Sequence, residues 1–536
     1  MRRSNPTQSR RWLSRTIWAV VLVLMLASAT HLLRTALRAG ETRAILIAAA
    51  LFSICILFRV GHIDTRSAPH LRRYIPWSAI PILGLAIWAA NMRLFGAFDV
   101  SAVLFHLKHS LAYEGVGDDI IEFGGFILFA VILVACLSYL ARRDRRLKLL
   151  ERLAALALLL INPVTGYAYD RLLNPDRGGI NLREAYVPTA LAPAPETPKN
   201  LIIIYLESME ATYAQPAFGS IFEDLNRISE QGLRINGVAQ IQDTGWTMAA
   251  LVASQCGVPL LSYGLVMKNR MKNIESFLPS ADCLATQLSE RGYGTRYIGG
   301  APLNFAGKGT FLKTHGYQRA IGLEDIPDDK RGEVGEWGIY DDRLFELALE
   351  ELDSLASADA PYLLSILTLG AHFPAGYPAP SCYETIANAA QMDSSLLSVA
   401  CTARLTGDFL REAEARGYLA DTVVVLMSDH LSQKNTQTAQ LNRYTRENFL
   451  LLLGPDNAPD IAPDVITKRA AMIDVYPTLL DSLGLLPATD KEALGTSLLG
   501  AEPTLLEAHG EDALNLAIRA DRDLREQLWN LAPPEK

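Results

Sequence analysis

Hydrophobic positions follow two regimes along the chain. Up to residue 161 they form long blocks: Trp18–Leu33, Ala44–Phe58, Trp77–Met92, Phe123–Ala141 and Leu153–Ile161. Several approach the roughly 20 apolar residues that cross a bilayer. They predict a multi-pass α-helical membrane domain of about five helices over residues 1–168. Pro76, Pro81 and Pro163 interrupt or end the third and fifth blocks, which leaves four as the other count. The first block, headed by Arg2, Arg3, Arg10 and Arg11, has the make-up of a signal peptide, but the four blocks after it favour an anchor.

Beyond a Pro-rich linker (residues 169–199, including YVPTALAPAPETP) the pattern changes to short runs. Residues 200–208 (NLIIIYLES), 293–298 (YGTRYI), 362–369 (YLLSILTL), 422–427 (TVVVLM) and 448–453 (NFLLLL) are apolar and rich in β-formers. Continuous runs of this kind belong to strands covered on both faces, hence to parallel sheets. Amphipathic stretches at 340–355 and 398–416 supply the covering helices. The prediction is an α/β domain with a mainly parallel sheet over 200–488. From residue 489 to 536 a C-terminal segment reads as a helix over the sheet or a peripheral tail.

Half the 536 residues are hydrophobic, which excludes a disordered chain. The net charge of −8 hides a division. Residues 1–161 carry 20 Lys and Arg against 9 Asp and Glu, net +11; the rest carries 30 against 49, net −19. So acidic a domain excludes nucleic acid as a partner. The basic residues flanking the apolar blocks run five, three, four, two, six. That alternation places the N-terminus inside and, after five crossings, residue 162 onward outside. Cys256, Cys283, Cys382 and Cys401 all lie in the acidic domain, where an even number fits two disulfides in an oxidising compartment. Proximity favours Cys256–Cys283 and Cys382–Cys401 among three possible connectivities.

In parallel sheets ligands gather beyond the carboxyl ends of the strands. There the chain places Glu207-Ser208, Gly370-Ala371-His372 and Ser428-Asp429-His430. Glu, Asp and His suit Mn²⁺, Mg²⁺ or Zn²⁺. Thr244-Gly245-Trp246-Thr247 leads into MAALVAS, a helix beginning. A Thr hydroxyl is a poor nucleophile at neutral pH unless a metal lowers its pKa, and a helix N-terminus adds N–H donors for a phosphoryl group. Each element alone has a bland reading as a cap or a structural histidine. Their joint occurrence in this order is far less easily accidental.

The order YLES, GWT, GAHFP and SDH, closing with IDVYPTLLDSLG, resembles the alkaline phosphatase/sulfatase superfamily. It looks most like the membrane-anchored branch of lipoteichoic acid synthases and phosphoglycerol transferases. TGWTMAALVASQCGVPL, APLNFAGKGTFLKTHGY and WGIYDD are similar to the phosphoglycerol transferase I family, which moves glycerophosphate from phosphatidylglycerol to osmoregulated periplasmic glucans. Matched motif by motif, the resemblance implies a one-metal site of Glu207, Thr247, Asp429 and His430, with Mn²⁺ the favoured ion. Thr247 would be the nucleophile and His372 a substrate-side catalytic histidine. Lys308, Asn304 and Trp246 would join His372 in binding substrate. The sulfatase signature C-x-P-x-R is absent: Cys256 is followed by GVPL, which argues against a formylglycine nucleophile.

The implied reaction is a two-step displacement through a glycerophospho-Thr247 intermediate, with a glucan or other sugar as acceptor. A phosphoethanolamine transferase and a phosphodiesterase are the alternatives with the same site; a scaffold with a degenerate domain is the alternative outside catalysis. The implied location is a bacterial inner membrane, with the catalytic domain on the periplasmic side. Trp337 and Tyr340 of WGIYDD read as packing residues.

Overall fold

The computed structural model describes residues 179–261, 277–455, 463–487, 489–521 and 523–530, with isolated residues elsewhere. The chain falls into two compact units, 1–98 with 115–169 and 99–114 with 170–536. In the first, scattered helical residues between 79 and 160 are described, and Ile82, Ala86 and Ala130 pack together. Most of the five apolar blocks lie outside the described residues. Among the described residues no helix is long and apolar enough to cross a membrane.

The second unit is built on an eight-stranded sheet. In chain order the strands are β1 (Asn200–Leu206), β2 (Leu233–Ala239), β3 (Gly294–Gly299), β4 (Arg319–Ile321), β5 (Tyr362–Leu367), β6 (Thr422–Ser428), β7 (Leu450–Leu453) and β8 (Asp464–Ala471). They lie in the order β4-β3-β5-β1-β6-β7-β2-β8. Strands β4 to β6 pair in parallel, as do β2 and β8. The expectation for residues 448–453 needs correction: β7 runs antiparallel to both β6 and β2. An apolar run reports burial on both faces, and that is the same for either direction.

Central β1 explains the two-sided core. Leu201, Ile203 and Tyr205 enter one hydrophobic cluster while Ile202, Ile204 and Leu206 enter the other. Strand β6 divides likewise, Val423, Val425 and Met427 against Val424 and Leu426. The first face is covered by α1 (Thr247–Cys256), the second by α2 (Asp341–Ala356) and α3 (Ser394–Ala415). Helices α4 (Val475–Ser482), α5 (Glu511–Ala520) and α6 (Asp523–Leu528) return to the first face, where Leu480, Leu514, Ile518 and Leu528 are buried. Three further strands escaped the apolar pattern: β4 is only three residues long, and the other two have a physical reason of their own. β8 is an edge strand with mostly exposed or half-exposed residues, and β2 is broken by a register shift at Gly237.

Cys256–Cys283 and Cys382–Cys401 are both disulfide-bonded. The first ties the end of α1 to the segment before β3, and the second fastens residue 382 to α3.

Candidate active site

Adjacent parallel strands β1 and β6 end side by side, with Leu206 paired to Ser428. The next residues of each, Glu207 and Asp429-His430, are therefore neighbours, all at most 1% exposed. One ligand atom from each lies within 4.8 Å of the others, the one such cluster among the described residues. His430 Nε2 stands 3.4 Å from Glu207 Oε1 and 3.3 Å from Asp429 Oδ2. Its Nδ1 lies 2.8 Å from the Leu431 carbonyl, which can only accept, so Nδ1 carries the proton and the lone pair of neutral His430 sits on Nε2, facing the carboxylates.

Thr247 opens α1 and aims its hydroxyl at the same point. Thr247 Oγ1 donates to Glu207 Oε2 at 3.3 Å. The first N–H groups of α1 have no intrahelical partner and open toward this end. Thr244, the neighbouring hydroxyl, is occupied otherwise, donating to the Ile241 carbonyl at 2.8 Å. Gly245 allows the approach of the two loops: a Cβ there would lie 2.7 Å from Gln240 Nε2, while Gln240 Oε1 accepts from Leu431 N–H at 2.8 Å.

Backbone and side-chain donors fix the carboxylates. Asp429 Oδ1 accepts from the N–H groups of Ser208 at 2.9 Å and His430 at 2.8 Å. Ser208 Oγ donates to Glu207 Oε1 at 2.8 Å, and Ser208 itself is held at φ +59°, the left-handed region. Asp429 Oδ2 is buried and accepts no hydrogen bond. Burial and then the charge of Glu207 push the Asp429 carboxyl up to about 7. Burial works against charge on His430, yet Asp429 and Glu207 outweigh it and raise the imidazole. Two buried carboxylates, one orphaned oxygen and an imidazole lone pair form a donor set that fits a divalent cation. Glu207, Asp429 and His430 would hold it, with Thr247 at its edge.

The substrate-side residues separate. His372 follows β5, its Nδ1 2.9 Å from the Phe373 carbonyl, and burial lowers its pKa to about 4. Lys308 is 4% exposed, its Nζ 5.9 Å above the Tyr297 ring. Burial lowers its pKa to about 8 against the opposing pull of Glu324 and Glu207. Trp246 is buried in the apolar core beside Thr247. Asn304 is exposed and its backbone N–H donates to Glu324.

Sequence reasoning overlooked Glu210 and Arg446. Fully buried Glu210 receives the Arg446 guanidinium and, at 2.8 Å, the Ser432 N–H, so it holds the loop that carries His430. The partners lie 236 residues apart, and nothing in either local sequence points to the other.

A family model described as Sulfatase matches residues 199–485. The chain belongs to the sulfatase family. Members of the sulfatase family use a divalent metal, in keeping with the donor set above. Within that family the chain is 32% identical over 455 residues to a phosphoglycerol transferase I of Xanthomonas euvesicatoria pv. vesicatoria, covering 81% of this chain and 62% of that protein. It is 30% identical over 398 residues to a phosphoglycerol transferase I of Salmonella arizonae, covering 72% and 51%. The chain thus spans about half to three-fifths of the length of the curated relatives it matches. Among solved structures, an alkaline phosphatase superfamily protein from Vibrio parahaemolyticus gives TM-score 0.47 at 23% identity, covering 60% of this chain and 77% of that one. A lipoteichoic acid synthase from Listeria monocytogenes gives TM-score 0.46 at 18% identity, covering 60% and 81%.

Proposed function

We propose that this chain is a phosphotransferase that moves glycerophosphate from phosphatidylglycerol to a sugar hydroxyl, a periplasmic glucan being the favoured acceptor. The observation that carries the reading is Thr247 Oγ1 at a helix N-terminus, 3.3 Å from Glu207 in the Glu207/Asp429/His430 cluster. The relatives named phosphoglycerol transferase I support the choice of transferred group.

A divalent cation, Mn²⁺ by preference, supplies Lewis-acid stabilisation of phosphoryl charge when bound. The chain's own residues do the rest. Thr247 Oγ forms a bond to phosphorus as the bond from phosphorus to the diacylglycerol oxygen breaks, and the hydroxyl proton ends on the departing alcohol. In the second step a sugar oxygen forms the new bond, the Thr247 Oγ–phosphorus bond breaks, and the sugar proton returns to Thr247. His372 is suited to carry these protons: the Phe373 carbonyl fixes the proton on Nδ1 and leaves Nε2 unprotonated. Lys308, still mostly charged at neutral pH, and the free N–H groups of α1 hold the anionic phosphoryl oxygens.

The apolar blocks and the arginine alternation support an inner-membrane anchor, which brings the site to the lipid headgroups; the two disulfides support a periplasmic domain. Incubation with labelled phosphatidylglycerol and glucan tests the reading. Diacylglycerol plus labelled glucan supports it. Free glycerophosphate points to a phosphodiesterase, turnover of phosphatidylethanolamine alone to a phosphoethanolamine transferase, and no turnover to a scaffold.

A further inference from the structure

The WGIYDD segment touches the ring of His372 and the turn that leads to it. Asp341, the first residue of α2, is 1% exposed. Its Oδ1 accepts from Leu369 N–H at 2.7 Å, and its Oδ2 from Gly370 N–H at 2.9 Å and from Thr402 Oγ1 at 2.6 Å. Those two amides begin the turn that ends at His372, whose own N–H donates back to the Leu369 carbonyl at 3.0 Å. Gly370 is bare for this reason: a Cβ would lie 2.4 Å from Thr402 Oγ1 and 2.5 Å from Asp341 Oδ2.

Four residues earlier, Trp337 lies on the imidazole, ring centroids 4.1 Å apart at 39°. Phe373 stacks on the imidazole at 4.8 Å, and Phe305 meets the indole edge-on at 6.4 Å. Between the two contacts the segment is itself anchored. Ile339 N–H donates to the Gly300 carbonyl at 3.3 Å, and a Cβ on Gly338 would lie 2.1 Å from that oxygen. One short segment therefore holds both the turn before a single histidine and the ring of that histidine.

We propose that Trp337 and Asp341 are positioning residues for His372: Asp341 sets the turn that carries it and Trp337 sets the plane of its imidazole. The catalytic part of this inference rests on the role given to His372 above. Proton transfer depends steeply on such placement, with misplacement by about 1 Å costing on the order of 100-fold.

The test is a set of paired variants in the full-length Mn²⁺-loaded protein, reading diacylglycerol release from phosphatidylglycerol. Trp337→Ala should lower kcat roughly 10- to 100-fold with KM within about 3-fold. Trp337→Phe, which keeps an aromatic face, should restore most of it. In a His372→Ala background the same Trp337→Ala change should cost less than about 2-fold, because its effect passes through the missing ring. Equal losses in both backgrounds overturn the proposal. Asp341→Asn can abolish folding, so Thr402→Val, which removes one hydrogen bond, follows the same comparison. A second readout needs no turnover: ring ¹⁵N resonances of His372 should leave the single Nδ1-protonated pattern in Trp337→Ala. If the unaltered protein releases no diacylglycerol, the donor assignment fails, while an unchanged ¹⁵N pattern in the variant overturns the positioning.

Discussion

Thr247 and Glu207, 40 residues apart in the chain, meet at 3.3 Å because the N-terminus of α1 faces the carboxyl end of β1. A hydroxyl in that position has a carboxylate acceptor on one side and the free N–H groups of the helix on the other. Thr247→Ala is expected to lower transfer by more than about 1000-fold while Mn²⁺ still raises the melting temperature. Transfer assays and thermal melts on one preparation check both halves. Persistent transfer would remove Thr247 as nucleophile, and Thr244 is a poor substitute, since its hydroxyl is bound to Ile241.

The metal assignment has a stability signature with a definite sign. Asp429 holds an orphaned buried oxygen beside the carboxylate of Glu207, and in the cation-free protein His430 offsets only part of their repulsion. With chelator present, Asp429→Asn should melt at or above the unaltered protein. With Mn²⁺ at about 100 times its Kd the unaltered protein gains about 2.7 kcal/mol and the variant far less. Melts with EDTA and with Mn²⁺ decide it; an equal Mn²⁺ gain in both proteins refutes the ligand role.

The pH profile follows from two groups with opposite requirements. His372, lowered to about 4 by burial, must be unprotonated at Nε2, so activity rises as pH climbs through about 4. Lys308, lowered to about 8 by burial, must be protonated, so activity falls as pH climbs through about 8. Lys308→Arg stays charged and should shift the alkaline limb upward. Initial rates across pH 3 to 10 (~0.5-unit steps) read both limbs, and an unmoved alkaline limb in the variant takes Lys308 out of the account.

Glu210→Ala should destabilise by about 3 kcal/mol, because it strands the Arg446 guanidinium and frees the Ser432 amide. Arg446 is partly exposed, which keeps the figure at the low end. Removing both partners should cost less than removing Glu210 alone. Urea denaturation of the three variants measures the difference.

Reducing Cys382–Cys401 opens a loop of sequence separation 19, worth about 3 kcal/mol of chain entropy. Cys401 adjoins Thr402, which holds Asp341. Cys382→Ser is therefore expected to lower the denaturation midpoint and to slow turnover together. Unchanged stability in oxidising buffer argues against a structural role for the bridge.

Much of this domain is legible in the sequence because burial on two faces leaves a mark that survives without a third dimension. β1, β5 and β6 are nearly continuous apolar runs, and Glu207, His372, Asp429 and His430 stand within a few residues of the strand ends. The start of α1 at Thr247 is likewise local, read from GWT leading into a helix-forming run. β8 was invisible because an edge strand need not be apolar, and the direction of β7 because hydropathy carries no polarity.

The order of residues along the chain already places particular side chains at the ends of particular strands, and makes Glu, Asp, His and Thr candidates to share an ion. Their distances, and which of them are braced, come from packing in three dimensions. Trp337 reads along the chain as a packing aromatic, and Asp341 as one more acid near a helix start. Their contacts with His372 and the turn before it exist because β3, β5 and α2 converge at one edge of the site. Such contacts join residues far apart in sequence, and no local propensity or periodicity encodes a partner chosen by packing.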